Sequence, residues 1–148
     1  MSSSHRPSPL PVLFNPADFY SLATWLLDTC PAHPSPCLVR TIINRAYFAA
    51  LICARDFTGS NTTGEKGHVN VVNALKNCNK VAANKLNSLR LKRRRADYET
   101  GGCFDRRDAQ LALDESLVVL IAANGPEFPA KPYSYDFLDP SRFLSTPP

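Results

Sequence analysis

The prolines of this chain lie at its two ends. Of thirteen, seven occur up to Pro36 and six from Pro126 onward, with none in the long stretch between. Proline removes a backbone donor and collides with the preceding turn, so a long Pro-free stretch rich in Ala, Leu, Asn and Arg reads as continuous helical material. A chain of 148 residues supports one domain with tails, and 44% hydrophobic residues suffice for a single core. No run approaches the roughly eighteen apolar residues of a membrane span, and Pro11 interrupts the apolar start at Leu10 to Phe14, so neither a membrane anchor nor a signal peptide is expected. The five cysteines, Cys30, Cys37, Cys53, Cys78 and Cys103, are odd in number and form no C-x2-C pair. That argues against a disulfide framework or a zinc knuckle and fits a reducing cytoplasm.

The expected layout is a mobile leader over residues 1–14, an all-α bundle of four to five helices over 15–124, and a tail over 125–148. The tail interleaves Pro126, Pro129, Pro132 and Pro140 with Phe128, Tyr133, Tyr135, Phe137 and Phe143. It is expected to lie extended along the body, the alternative being a disordered tail. Five helices can be drawn. Asn15-Pro16 with Asp18 starts the first, whose stripe is Phe19, Leu22, Ala23, Leu26 and Leu27. Ser35-Pro36 starts the second, with a 3.6-residue stripe of Val39, Ile42, Ile43, Ala46, Ala50, Cys53, Ala54 and Phe57, ending near Gly59. The third carries His68, Val69, Val72 and Leu75, and the fourth runs through Val81, Ala82, Leu86 and Leu89 into a basic run. Asp105 and Asp108 start the last, with Ala109, Ala112, Leu113, Leu117, Leu120 and Ile121, and Asn124-Gly125 ends it.

Charge is uneven. Residues 76–107 hold ten Lys/Arg against three Asp/Glu, so this stretch is +7 within a chain of net charge +4. Arg90, Lys92, Arg93, Arg94 and Arg95 fall within six residues, and on a helix they wrap more than half its circumference. Some must therefore lie against the bundle or a partner. Uncompensated positive charge of this kind attracts phosphates through counterion release; the plainer reading is a solvated surface helix.

Two segments carry a resemblance. Asn44-Arg45-Ala46-Tyr47-Phe48-Ala49-Ala50 and the later run from Leu89-Arg90 to Arg93-Arg94-Arg95-Ala96-Asp97-Tyr98 resemble the HEPN superfamily, in its small single-domain bacterial branch. His68 falls where that branch often has a histidine. The resemblance spans residues 15–123. It implies a helical bundle that dimerises and acts on RNA without a metal, as the toxin of a toxin–antitoxin pair or an effector of phage defence. The superfamily's catalytic motif is R-x4-6-H, in which the histidine moves a proton and the arginine holds the phosphate.

This chain departs from that motif. Its histidines are His5, His33 and His68, so none follows the basic run, and Tyr98 stands where a histidine would be sought. The catalytic candidates are Arg93, Arg94, Tyr98 and His68, with His68 as the group that titrates near neutrality. Arg90, Lys92, Arg95 and Arg45 are candidate RNA ligands. Arg45 is also expected to pair with Asp97 as part of the fold's internal glue. Neither a metal nor another cofactor is expected. The expected partners are RNA, a second copy of the chain and a protein encoded nearby, with no membrane. The homodimer is argued from the second helix, whose Ala46/Ala50 face offers more apolar surface than so small a chain hides alone. Two functions follow from different classes: a metal-independent endoribonuclease, or a non-catalytic module that holds RNA, a nucleotide or a partner protein.

Overall fold

The computed structural model describes residues 14–125 and Phe128. Most of the expected leader and nearly all of the expected tail lie outside the described residues. Five α-helices account for the body, and no strand occurs among the described residues: α1 (Ala17–Thr29), α2 (Pro36–Thr58), α3 (Gly67–Cys78), α4 (Lys80–Tyr98) and α5 (Arg106–Asn124).

Local chemistry sets the ends. Asn15 Oδ1 accepts from the Ala17 amide at 3.0 Å, and Ser35 Oγ accepts from Leu38 N at 3.3 Å with Pro36 at the first position of α2. Gly59, at φ 69°, closes α2 in the left-handed conformation that glycine adopts without steric cost. Asn79 alone separates α3 from α4, and its side chain caps α4 by accepting from Ala82 N at 3.0 Å. Asp105 and Asp108 form a reciprocal capping box at the start of α5.

The central helix is α2, which packs against all four others. Val39, Ile42, Ile43, Ala46, Tyr47, Ala49, Ala50, Leu51, Cys53 and Ala54 are all buried, so more of its circumference is covered than the expected stripe supplies. By length and apolar content α2 could cross a bilayer, yet over half of that window is buried inside the bundle. Phe57, expected on the stripe, is 49% exposed because it lies at the helix end beyond its neighbours' reach. Helix α1 is rotated by about one position from the expected stripe: Tyr20, Ala23, Thr24 and Leu27 face the core, while Phe19, Leu22 and Leu26 are half-buried. Phe19 is held at that margin beneath the Arg45 guanidinium, 4.7 Å from the ring centroid.

Ala46 and Ala50, expected to leave apolar surface for a second copy, are fully buried within the chain. The small side chains let α5 approach closely enough for the buried Ser116 hydroxyl to donate to the Ala46 carbonyl at 2.7 Å. The ground for the dimer is thus consumed inside one subunit.

Two arginines staple elements that the helical pattern leaves unconnected. Arg40 of α2 donates to the carbonyls of Ala96, Glu99 and Gly102, which gather at the C-terminal end of α4, and lies over the Phe104 ring. A cation is favoured there because the last carbonyls of a helix are unpaired and carry the negative end of its dipole. Arg106 serves α1 in the same way, donating to Leu27 O at 3.0 Å.

A candidate phosphate-binding cleft between α3 and α4

Because one residue joins them, α3 and α4 form a hairpin, and its open end faces solvent as a cleft of about 520 Å³. His68 and Val69 line one side from the first turn of α3, with Gly64 and Glu65 from the preceding loop. Arg90, Arg93, Arg94 and Tyr98 line the other from α4. All four catalytic candidates from the sequence therefore meet in one cleft, together with Arg90. Comparison with family models, with curated proteins and with solved structures finds no match.

His68 is placed by a close backbone approach. A Cβ on Gly67 would sit 1.9 Å from the Thr62 carbonyl oxygen and 2.3 Å from its carbon, so only glycine lets the 59–66 loop pack onto the start of α3. The imidazole then rests against α2. Its Nδ1 is 2.9 Å from the hydroxyl of Tyr47, which is fully buried, and the Phe48 ring meets it edge-on at 6.2 Å. Burial, with Arg93 and then Arg90 nearby, lowers the His68 pKa from its usual 6.5. Burial also pushes the Tyr47 phenol up to about 12, against a smaller opposite pull from Arg93 and Arg90. Both groups are neutral at neutral pH.

Arg93 occupies the core-facing line of α4, between buried Leu89 and buried Ala96. An arginine is tolerated there because aromatic faces surround it: its guanidinium carbon lies 5.7 Å from the Tyr47 centroid, 5.3 Å from Phe48 and 6.0 Å from Tyr98. Its Nε stands 2.7 Å from Asp97 Oδ2, a close ion pair without the alignment of a hydrogen bond. Arg90 is steadied by Asn87 Oδ1, which accepts from its Nε and Nη2 at 3.2 and 3.0 Å. Arg94 is exposed and has no ion-pair or hydrogen-bond partner among the described residues. The free cationic capacity of the cleft thus resides in Arg94 and Arg90 more than in Arg93.

The remaining candidates lie elsewhere. Lys92 turns toward α5 and pairs with the buried carboxylate of Glu115. Three residues' rotation from Leu89 brings it to the α4–α5 seam, away from the cleft. Arg95 pairs with Glu99 four residues on and lies over Phe104, at 3.3 and 5.6 Å. With Arg94 and Tyr98 it borders a neighbouring concavity on the outer side of α4. The expected Arg45–Asp97 pair is not direct. Asp97 takes Arg93 from its own helix and the Asn44 amide at 3.2 Å, while Asn44 Oδ1 accepts from Arg45. Stacking over Phe19 holds the Arg45 guanidinium on the α1 side, so Asn44 bridges the gap.

The contact between Tyr47 and His68 was not legible in the sequence. The two are 21 positions apart on different helices, and no spacing rule signals the pair. Among the described residues no three His, Cys, Asp or Glu side chains gather as a metal-binding group.

Proposed function

We propose that this chain is a HEPN-like, RNA-directed protein of a bacterial defence or toxin–antitoxin system, and that the α3–α4 cleft holds an RNA phosphodiester. The observation that carries the proposal is the convergence of His68, Arg90, Arg93, Arg94 and Tyr98, from two helices, on one open cleft. Arg94 and Arg90 supply charge for the phosphate oxygens, as phosphate contacts generally do. Tyr98 is 72% exposed, so its ring is free to stack on an unpaired base, the usual route to single-stranded RNA. Arg93, caged by rings and paired to Asp97, is assigned to hold the cleft's shape.

The test is binding of a single-stranded oligoribonucleotide across a salt series. Affinity should fall steeply with salt, by about 0.7 in log slope per phosphate contact. Arg90→Gln with Arg94→Gln should remove most of the binding, whereas Arg95→Gln should barely change it. Salt-insensitive binding, or a double variant that binds as before, would point to a protein partner.

A second reading, metal-independent cleavage of the bound RNA, is favoured by one feature: the arginines and a neutral imidazole share the cleft, a set able to stabilise charge building on a phosphate without a metal. Cleavage persisting in EDTA, leaving a cyclic phosphate and blocked by 2′-O-methyl groups, would establish it. The homodimer now rests on the HEPN resemblance alone, and sedimentation showing only a 16.3 kDa species would remove it.

A further inference from the structure

The Tyr47 hydroxyl is buried and meets one polar group among the described residues, His68 Nδ1 at 2.9 Å. A buried hydroxyl donates its proton to whatever acceptor it has, because leaving an O–H unpaired in the interior costs more than a hydrogen bond gains. Were His68 Nδ1 to carry the proton, it would donate to the phenol oxygen and leave the phenol hydrogen with no acceptor. The pairing is therefore satisfied in one sense only: Tyr47 O–H donates and Nδ1 accepts. A neutral imidazole carries one proton, so that proton sits on Nε2. No hydrogen bond engages Nε2 among the described residues, and the ring lines the cleft.

We propose that Tyr47 is a positioning residue that locks His68 in its Nε2–H form, so that the imidazole meets the ligand as a neutral hydrogen-bond donor to a phosphate oxygen and not as a base. The phosphate as ligand rests on the function proposed above; the Tyr47 lock does not. The surrounding charges act in the same sense. Arg90, Arg93 and Arg94 share the cleft with His68 and oppose a second proton on the ring, whereas Glu65 is the one carboxylate lining it among the described residues. A neutral histidine that polarises through its N–H is a known way to stabilise developing negative charge without moving a proton at the start. It also reassigns His68 from the proton-moving role that the sequence suggested.

The decisive experiment is long-range proton–nitrogen NMR of the imidazoles in the full chain, for the wild type and for Tyr47→Phe. In the wild type, His68 should show an acceptor-type Nδ1 and a protonated Nε2 at neutral pH. Tyr47→Phe keeps the ring but removes the donor. His68 should then become a mixture of tautomers, while burial, Arg93 and Arg90 still hold its pKa below 6.5. A protonated Nδ1 in the wild type, or a tautomer unchanged in Tyr47→Phe, overturns the proposal whether or not RNA binds. Oligoribonucleotide binding by His68→Gln and His68→Ala provides a second measurement that does not depend on Tyr47→Phe folding. Gln places an N–H near the Nε2 position, so it should retain affinity to within about threefold. Ala should lose roughly ten- to a hundredfold, the worth of one hydrogen bond to a charged group. If Gln and Ala fail equally, donation from Nε2 is not the role. If the wild type shows the locked tautomer yet binds no RNA, the lock stands and the RNA ligand falls.

Discussion

Gly67→Ala sets two opposed effects against each other at the residue that positions His68. In an ordinary helix the change stabilises by up to about 1 kcal/mol, because alanine loses less backbone freedom than glycine on folding. Here the new Cβ would stand 1.9, 2.3 and 2.8 Å from Thr62 O, C and Cα, all of them backbone atoms. Side-chain overpacking costs about 1–3 kcal/mol even where the neighbours can swing aside. A backbone segment yields only by moving the whole loop, so the clash should outweigh the propensity gain. A net loss of about 2 kcal/mol is expected, or on the order of 10 °C in melting temperature for a domain of this size. Gly101→Ala is the matched control, since a Cβ there meets nothing within 4 Å, and it should be near neutral. Thermal melts of both variants, followed by circular dichroism, make the comparison. A Gly67→Ala protein that melts at or above the wild type would refute the close packing of the loop against α3, and with it the account of how His68 is held.

The Lys92–Glu115 pair should reward double replacement and punish single replacement. Lys92→Ala strands a buried carboxylate and should cost about 3 kcal/mol, whereas Lys92→Met with Glu115→Leu should recover most of it in urea titrations. Stability should also fall as the pH drops below 6.5, because the unfolded chain protonates His68 before the folded one does, and the loss should level off at the lowered folded pKa. His68→Gln should flatten that slope; an identical slope would show that other groups produce it. At the alkaline end Tyr47 acts with the opposite dependence on pH. Its phenol is raised to about 12 in the fold, so unfolding becomes easier from pH 10 upward, and Tyr47→Phe should remove part of that loss in alkaline melts.

The helices were legible in the sequence because their signals are local. Ser35-Pro36, Gly59 and the Asp105/Asp108 box each act within four residues, and each stands where the chain said it would. The facing of the basic run was only half legible. Five cations on a helix must wrap it, but which of them meets a core carboxylate depends on α5, and Glu115 carries no mark of its burial. Arg40 and Arg106 were missed because they donate to backbone carbonyls 56 and 79 positions away, and a carbonyl has no residue type to read. The role of Tyr47 was missed for a related reason. It lies outside the expected stripe of α2, and nothing in its position foretold where the hydroxyl would go.

The single-residue junction at Asn79 has a mechanical consequence. His68 lies 11 residues from it along α3, and Arg90 lies 11 residues from it along α4, so these two groups stand equally far from the junction, at about 16 Å by helical rise. The imidazole and the Arg90 guanidinium therefore sit at matched points on a pair of callipers with its pivot at Asn79. Each degree of splay at the pivot changes the gap between imidazole and guanidinium by about 0.3 Å, from the same arm length. A cap that fits slightly differently, far from any phosphate, would be amplified into a gap too wide or too narrow to grip one. The fit of one asparagine side chain to one amide, together with the α2 face on which both arms rest, thus gauges the width of the cleft.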